Sequence, residues 1–182
     1  MRKLLMIATI SAASLAVTGC VTPSEPEPRP APAAPVPIPA PAPAPAPAPL
    51  GADWRDWPLT PGTWTYRQDG RGSIALFGVA GQDAVFTLRC DRDRARLYLS
   101  RRAGSATTPA TAVLRTSTLL RTLSMAPTGG TPHYLAAELG VRDALPDAMG
   151  YSRGRFVMES AGLPTLVIPA WAEILRVAED CR

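Results

Sequence analysis

Lysine and histidine are nearly absent from this chain of 182 residues, which contains one lysine, Lys3, and one histidine, His133. Without another lysine, neither a Walker-type phosphate loop nor a Ser–Lys catalytic pair can form in the body of the chain. One histidine cannot complete the usual zinc ligand sets, so we expect neither a metal site nor a bound cofactor. His133 follows Thr131 and Pro132 in a glycine-rich stretch, which is typical of a solvated loop rather than of a catalytic triad.

A strong charge of one sign is also lacking. The formal net charge is +4, and every basic residue after Lys3 except His133 is arginine. Such a small excess does not favour nucleic-acid binding, which depends on a dense basic patch. We therefore expect no nucleic-acid partner, while a weak attraction to anionic envelope polymers stays open.

No apolar run is long enough to cross a bilayer permanently, which takes about 20 residues. The main candidate, residues 4–17, is shorter, consists mostly of apolar and small side chains, and follows the positive pair Arg2 and Lys3. This arrangement is typical of a secretory signal peptide, which we predict over residues 1–19.

The apolar run ends in Val17, Thr18, Gly19 and Cys20, which resembles the lipobox of bacterial lipoproteins. The resemblance implies cleavage before Cys20 and acyl chains on that residue, each buried CH₂ group contributing about 0.8 kcal/mol to membrane anchoring. Val21 is not the aspartate that commonly retains such proteins in the inner membrane, so the resemblance implies an outer-membrane lipoprotein that faces the periplasm. An ordinary secretory signal with an incidental cysteine is the alternative.

Residues 20–50 are dominated by proline and alanine, so this segment cannot form a core. Frequent proline removes backbone donors and favours polyproline II, which rises about 3.1 Å per residue. We predict a semi-rigid tether with a reach of at most roughly 90 Å. A proline-rich ligand for a partner domain is the alternative, but the segment lacks the interspersed basic or aromatic residues that give such motifs specificity.

Residues 51–182 are expected to form one domain of ordinary size. Turn residues separate short strand-like runs, and the predicted strands are residues 63–67, 73–79, 84–90, 94–101, 111–116, 119–124 and 154–159. Residues 119–124 could equally be a helical turn, residues 134–141 are ambiguous between helix and strand, and residues 143–149 are expected as a turn or short helix. The pattern predicts a mainly β or α+β fold, with a small antiparallel sheet or sandwich.

The carboxyl-terminal segment has a helical pattern, with Pro169 suited to its first turn. One apolar face follows the spacing i, i+3, i+4, i+7 and consists of Trp171, Ile174, Leu175 and Ala178. We expect the helix to pack on the sheet with Trp171 buried most deeply. Arg176 and Asp180 are four residues apart and could pair on its surface.

Once Cys20 carries lipid, two cysteines remain, Cys90 and Cys181. In an oxidising compartment, two cysteines can form one disulfide. We predict that this disulfide joins the terminal helix to the third strand. Two free thiols or a two-ligand metal site are the alternatives.

Two short stretches match catalytic or cofactor fingerprints in their letters. Residues 150–154 match the G-x-S-x-G nucleophile elbow, and residues 70–75 loosely match a dinucleotide-binding loop. Each fingerprint requires a helix directly after it, but in this sequence a strand-like run follows each of the two stretches. We interpret both as turns flanked by glycine.

Carboxylates are the remaining catalytic candidates, namely Asp91, Asp93, Asp143, Asp147, Glu159 and Glu173. Two of them could form the acid and base of a glycosidase acting on peptidoglycan. Their spacing singles out no pair, and Asp91 and Asp93 lie among arginines in a pattern that favours a solvated hairpin turn. We therefore assign no catalytic residue and keep a carboxylate-dependent wall hydrolase as the alternative.

Two groups of residues are candidates for a binding surface. Arg153 and Arg155 flank Gly154 beside Tyr151, where two guanidinium groups could hold a carboxylate or phosphate. The competing interpretation is a turn whose arginines pair with nearby acids. Aromatic rings that could stack on sugars, or equally close a small core, are Trp54, Trp57, Trp64 and Tyr66.

The domain resembles uncharacterised alphaproteobacterial envelope lipoproteins, in which a strand-rich region ends in a segment similar to residues 168–182 with its Cys181. It also resembles the invasion-associated locus B family in size, export, cysteine spacing and terminal helix. Neither resemblance carries functional residues over. We expect a non-catalytic, membrane-anchored module that binds peptidoglycan or another envelope protein, with inhibition of a wall hydrolase as the alternative binding function.

Overall fold

The computed structural model describes residues 50–104 and 108–182. The described residues all belong to one unit, Pro47–Arg182. The predicted signal peptide, Cys20 and all of the predicted tether except its last residue lie outside the described ranges. Within those ranges, no helix has the length and apolar character needed to cross a membrane.

The described residues form nine strands and two α-helices after a short 3₁₀ turn at Trp54–Asp56. The strands are β1 (Thr63–Asp69), β2 (Gly72–Gly78), β3 (Phe86–Asp91), β4 (Arg96–Arg102), β5 (Ala110–Arg115), β6 (Leu120–Pro127), β7 (Tyr134–Gly140), β8 (Arg155–Ser160) and β9 (Leu163–Pro169). The helices are α1 (Leu145–Gly150) and α2 (Ala172–Asp180).

All neighbouring strands are antiparallel, in the order β1-β2-β3-β4-β7-β6-β5-β8-β9. Strand β6 connects the two halves of this sheet, because its first six residues pair with β5 while Ala126 and Pro127 pair with β7. The antiparallel, mainly β fold with a terminal helix is therefore confirmed. Of the ambiguous residues 134–141, Tyr134–Gly140 form strand β7, and residues 120–124 belong to strand β6 rather than to a helical turn.

The core lies between the inner faces of the two halves. Alternating residues of β3 and β4 supply much of it, because successive side chains of a strand point to opposite faces. Phe86 of β3 meets Phe156 of β8 with ring centroids 5.6 Å apart, and Trp64 lies edge-on to Phe86 at 6.0 Å. The halves are thus held together by aromatic contacts as well as by the shared strand β6.

Helix α2 covers the inner side of β1, β2 and β3 and also packs against α1. Its buried residues are Ile174, Val177 and Ala178. The prediction that Trp171 packs most deeply is wrong, because Trp171 is the residue before the helix and its side chain is 47% exposed. Pro169 is likewise not in the first turn but ends strand β9.

The predicted surface pair of Arg176 and Asp180 does not form. The Arg176 guanidinium instead lies 3.8 Å from the ring centroid of Tyr66, and the Tyr66 hydroxyl donates a 2.6 Å hydrogen bond to Asp180. Burial acts to raise the pKa of Asp180, but hydrogen bonding, chiefly from Tyr66, and nearby arginines keep it below its ordinary value. Tyr66 of β1 therefore contacts both of the helix residues that the sequence pattern would pair with each other.

The predicted disulfide between Cys90 and Cys181 is confirmed. It joins β3 to the residue that follows α2, with the two Cα atoms 5.4 Å apart. Cys90 is fully buried in the core, so the bridge fixes the end of the helix to the centre of the first half of the sheet.

Candidate functional site

The three predicted binding residues lie at the turn between α1 and β8, and they differ in exposure and in their contacts. Tyr151 is 74% exposed, and Arg153 is exposed with its backbone N–H donating to Ser117 Oγ at 3.3 Å. The Arg155 guanidinium donates to the backbone carbonyl of Trp57 and is partly buried. Arg155 therefore holds the segment before β1, while Tyr151 and Arg153 stay exposed to solvent.

The G-x-S-x-G letters belong to a structural turn. Helix α1 precedes Ser152 and strand β8 follows it, the reverse of the order that a nucleophile elbow requires. Ser152 is buried, donates to the carbonyl of Arg155 at 2.5 Å and accepts from the backbone N–H of Ser117 at 3.0 Å. The hydroxyl is committed to joining two loops. Residues 70–75 likewise form the β1–β2 hairpin.

The four aromatic residues predicted as a group serve different purposes. Trp64 is buried in the core and donates its indole N–H to the Pro169 carbonyl at 2.9 Å. Tyr66 packs against α2, while Trp57 donates to the carbonyl of Gly51 at 2.6 Å. Trp54 stacks with Arg55 in the first turn. They form no shared sugar-binding platform.

Asp91 is not in a solvated turn, as the arginine-rich pattern predicted, but is 99% buried at the end of β3. Its Oδ2 accepts from Arg71 at 2.6 Å and from Arg94 at 2.8 Å, while the backbone N–H of Arg94 donates to Oδ1. Hydrogen bonding to Arg71, together with Arg94, lowers the pKa of Asp91 to about 2. A carboxylate held this firmly in its ionised form is a poor general acid.

Two of the other acids also have structural partners. Asp143 accepts from Arg121 at 2.6 Å and from the N–H of Leu145 at 2.8 Å, so it fixes the turn that leads into α1. Asp147 pairs with Arg182, joining α1 to the end of the chain. In the described part of the chain, no group of three histidine, cysteine or carboxylate side chains is arranged to hold a metal ion.

A more coherent candidate lies on the outer face of the first half of the sheet. The strand register places Arg89 of β3 opposite Tyr98 of β4, and Tyr98 opposite Glu138 of β7. The next row along contains small side chains, because Ser100 lies opposite Ala136, which lies opposite Ala126 of β6. A row of one aromatic and two charged residues therefore borders a row of small ones, which leaves open space above the sheet.

That space is a groove of about 660 Å³, which we call the Tyr98 groove. Its lining includes Tyr98, Ser124, Ala126, Thr128, Ala136 and Glu138. An adjoining hollow of about 260 Å³ shares Tyr98, Thr128 and Ala136 with the groove and adds Arg71, Arg89 and Ser100. Together they have the size of an ordinary ligand site, although they are open to solvent rather than enclosed.

Ion pairs flank the Tyr98 groove. The Arg89 guanidinium donates two hydrogen bonds, of 3.0 and 2.8 Å, to the Asp69 carboxylate. Hydrogen bonding to Arg89 lowers the pKa of Asp69 to about 2. Arg96 donates to Glu138 at 2.9 Å, and the Tyr98 hydroxyl lies 3.4 Å from the other oxygen of Glu138. These contacts fix the carboxylate and guanidinium groups before any ligand arrives, while the exposed atoms keep free hydrogen-bonding capacity.

Sequence reasoning missed this groove, since Arg89, Tyr98 and Glu138 are spread over 50 positions and meet only through the strand register. It also missed Arg101, which is fully buried in β4 and whose side chain makes one hydrogen bond among the described residues, from Nη2 to the Pro164 carbonyl. Burial lowers the pKa of Arg101.

Comparison of the chain with protein-family models, curated proteins and solved structures found no match.

Proposed function

We propose that this chain is a lipid-anchored envelope protein whose folded domain recognises the glycan of the cell wall through the Tyr98 groove. The groove is the observation that carries this proposal. An aromatic ring gives a sugar a flat apolar surface, and the carboxylate and guanidinium beside it match the donors and acceptors of sugar hydroxyls.

The disulfide supports the location outside the cytoplasm. Stable disulfides form in oxidising compartments and are rare where cellular thiols keep cysteines reduced. Cys90 and Cys181 pair in the folded domain, which agrees with export through the signal that residues 1–20 resemble. Growth with labelled palmitate tests the anchor, since label should enter the wild-type chain and should be lost from the Cys20→Ser variant.

The arrangement of carboxylates favours binding over hydrolysis. A glycosidase usually needs two carboxyl groups that face each other across the bond to be cleaved. Among the residues that line the Tyr98 groove, Glu138 is the single carboxylate, and Asp91 is buried away from solvent by its arginine partners. A hydrolase stays the alternative activity, and it predicts soluble sugar fragments that disappear in the Glu138→Gln variant.

Co-sedimentation of the full chain, purified in mild detergent, with purified peptidoglycan sacculi tests the proposal. We expect saturable binding that weakens about tenfold in Tyr98→Ala and changes little in Tyr98→Phe, because the ring rather than the hydroxyl supplies the contact surface. Tyr151→Ala is the matched control, since Tyr151 is also exposed but belongs to the other predicted surface.

The outcomes separate the two surfaces. Binding that is lost in Tyr151→Ala and kept in Tyr98→Ala would move recognition to the turn of Arg153 and Arg155. Absence of binding to sacculi by the wild-type chain would overturn the glycan proposal. Melting curves of the variants should be close to that of the wild type, because both tyrosines lie outside the core.

A further inference from the structure

The two edges of the sheet are protected very differently. Edge strands present unpaired N–H and C=O groups, and proteins usually block them with proline, bulges, short length or a covering segment. Strand β9 has such protection, because it contains Pro164 and Pro169, its pairing with β8 has a register shift, and Thr60 exchanges two 2.9 Å hydrogen bonds with Val167.

Strand β1 has none of these devices, and of the other common ones it has only the charged side chains of Arg67 and Asp69. It is seven residues long, contains no proline, and pairs with β2 in unbroken register from Thr63 opposite Gly78 to Asp69 opposite Gly72. Among the described residues, Thr63–Asp69 make no main-chain hydrogen bond to any element other than β2. Since antiparallel pairing uses the main chain of alternate residues, the other residues of β1 direct their N–H and C=O groups outward.

A groove, which we call the β1 groove, lies beside β1 on the outer face of the sheet. It has a volume of about 230 Å³ and lies over β2, between the side chains of β1 and the loop that joins β2 to β3. The β1 residues that line it are Thr63, Thr65 and Arg67, all exposed and all on the same side of the strand. An added strand would lie on the other side of β1, where it would find main-chain partners and the same row of exposed side chains.

The charge beside β1 indicates what kind of peptide strand would bind there. Arg67 is the one charged residue among those that line it, and no acid of the described residues forms an ion pair with it. The neighbouring arginines differ, since Arg71 and Arg89 are paired with Asp91 and Asp69. The β1 groove thus presents a positive charge that has no partner within the described domain.

We propose that β1 is a strand-addition site for an extended peptide segment of another protein that carries an acidic side chain. The segment pairs with the free edge of β1 through main-chain hydrogen bonds, and its carboxylate meets Arg67. Main-chain pairing gives most of the affinity in this mode of recognition, and contacts between side chains, here with Arg67, give the selectivity.

A labelled nine-residue peptide of alternating threonine and valine with a central aspartate is the probe, measured by fluorescence anisotropy against the full chain in mild detergent. Two N-methylated versions, one at odd and one at even positions, test strand addition. We expect one to bind at least tenfold more weakly than the parent and the other to bind almost equally, because only one set of N–H groups faces β1. Equal binding of both would overturn the proposal.

Replacing the central aspartate with asparagine tests the charge. We expect the wild-type chain to bind the asparagine peptide three- to fivefold more weakly, the scale of an exposed ion pair, and Arg67→Gln to bind both peptides alike. Arg142→Gln is the matched control, since Arg142 is exposed on a different loop, and it should keep the wild-type preference.

Two further results would overturn the assignment. One is an Arg67→Gln chain that still prefers the aspartate peptide. The other is a stable dimer in sedimentation velocity whose formation prevents peptide binding. That result would show that the edge of β1 pairs with a second copy of the chain. Since β1 and the Tyr98 groove are tested with different probes, failure of either proposal leaves the other intact.

Discussion

Asp91 shows how strongly the environment of one residue depends on tertiary contacts. A buried carboxylate is costly unless charged partners satisfy it, and here Arg71 comes from the neighbouring hairpin while Arg94 comes from its own turn. The arginines are more than half exposed, so solvent weakens the net contribution of each pair. The charge-rich sequence predicted a solvated turn here, which is the wrong degree of burial for Asp91.

Acid should therefore destabilise the fold in a defined range. The folded pKa of Asp91 and of Asp69 is about 2, below the ordinary value of 3.8, so the unfolded chain takes up these protons first. Their stabilisation is complete above about pH 5 and is lost as the pH falls from about 4 towards 2. Urea unfolding at a series of pH values measures this loss.

The Asp91→Asn variant should be less stable than the wild type at pH 7 and should lose less additional stability between pH 4 and pH 2. Asp93→Asn is the matched control, because Asp93 is an exposed acid of the same turn. An Asp91→Asn curve parallel to the wild-type curve throughout this range would contradict the assignment.

Two tryptophans show that the sequence pattern does not predict which large apolar residue is buried. Trp64 is buried where its indole N–H reaches the Pro169 carbonyl, whereas Trp171 lies just before α2 and stays half exposed. Both are large apolar residues in the sequence. A buried indole also needs a hydrogen-bond acceptor, which only the fold can bring within reach.

At the scale of elements, α2 has the amphipathic pattern that predicted it, but its buried face is shifted. The face runs through Ile174, Val177 and Ala178 and ends at the disulfide of Cys181. The shift arises because β9 continues through Pro169, which moves the first helical residue to Ala172. The spacing i, i+3, i+4, i+7 fits both faces, and docking on β2 and β3 selects one of them.

The choice of face gives a direct test. Ile174→Ala should lower the free energy of unfolding by about 2 to 5 kcal/mol, because it removes a fully buried side chain. Trp171→Ala should lower it by roughly 1 kcal/mol or less, since substitutions at exposed positions seldom exceed that. Chemical denaturation of the two variants compares them, and a larger loss in Trp171→Ala would show that the helix docks through the face first predicted.

The strands were predictable where alternation was clear and missed where it was not. Thr87, Arg89, Arg96 and Tyr98 alternate with buried residues, so β3 and β4 were expected close to their observed bounds. Strand β9 was missed, because its last four residues are all buried and its two prolines argue against a strand. Edge strands tolerate proline, and only the fold shows that β9 is an edge.

For the whole molecule, the disulfide is the strongest constraint on the unfolded chain. It closes a loop of 91 residues, for which the loss of chain entropy corresponds to roughly 4 to 5 kcal/mol at most. The Cys90→Ala and Cys181→Ala double variant should therefore melt well below the oxidised wild type. Reduction of the wild type should bring its melting temperature down towards that of the variant, and an unchanged melting temperature on reduction would show that the bridge contributes little.

The sequence alone determined the local properties of this protein: the apolar alternation of most strands, the amphipathic terminal helix, and a cysteine pair able to bridge. The strands and the helix depend on neighbouring residues and the bridge on the number of cysteines, so period and composition suffice to predict them. Only the tertiary structure decided which residues meet across strands. It brought Arg89, Tyr98 and Glu138 into one row, buried Asp91 and left β1 as an unprotected edge. Strand register and sheet order depend on the packing of the whole core, which no single stretch of sequence contains.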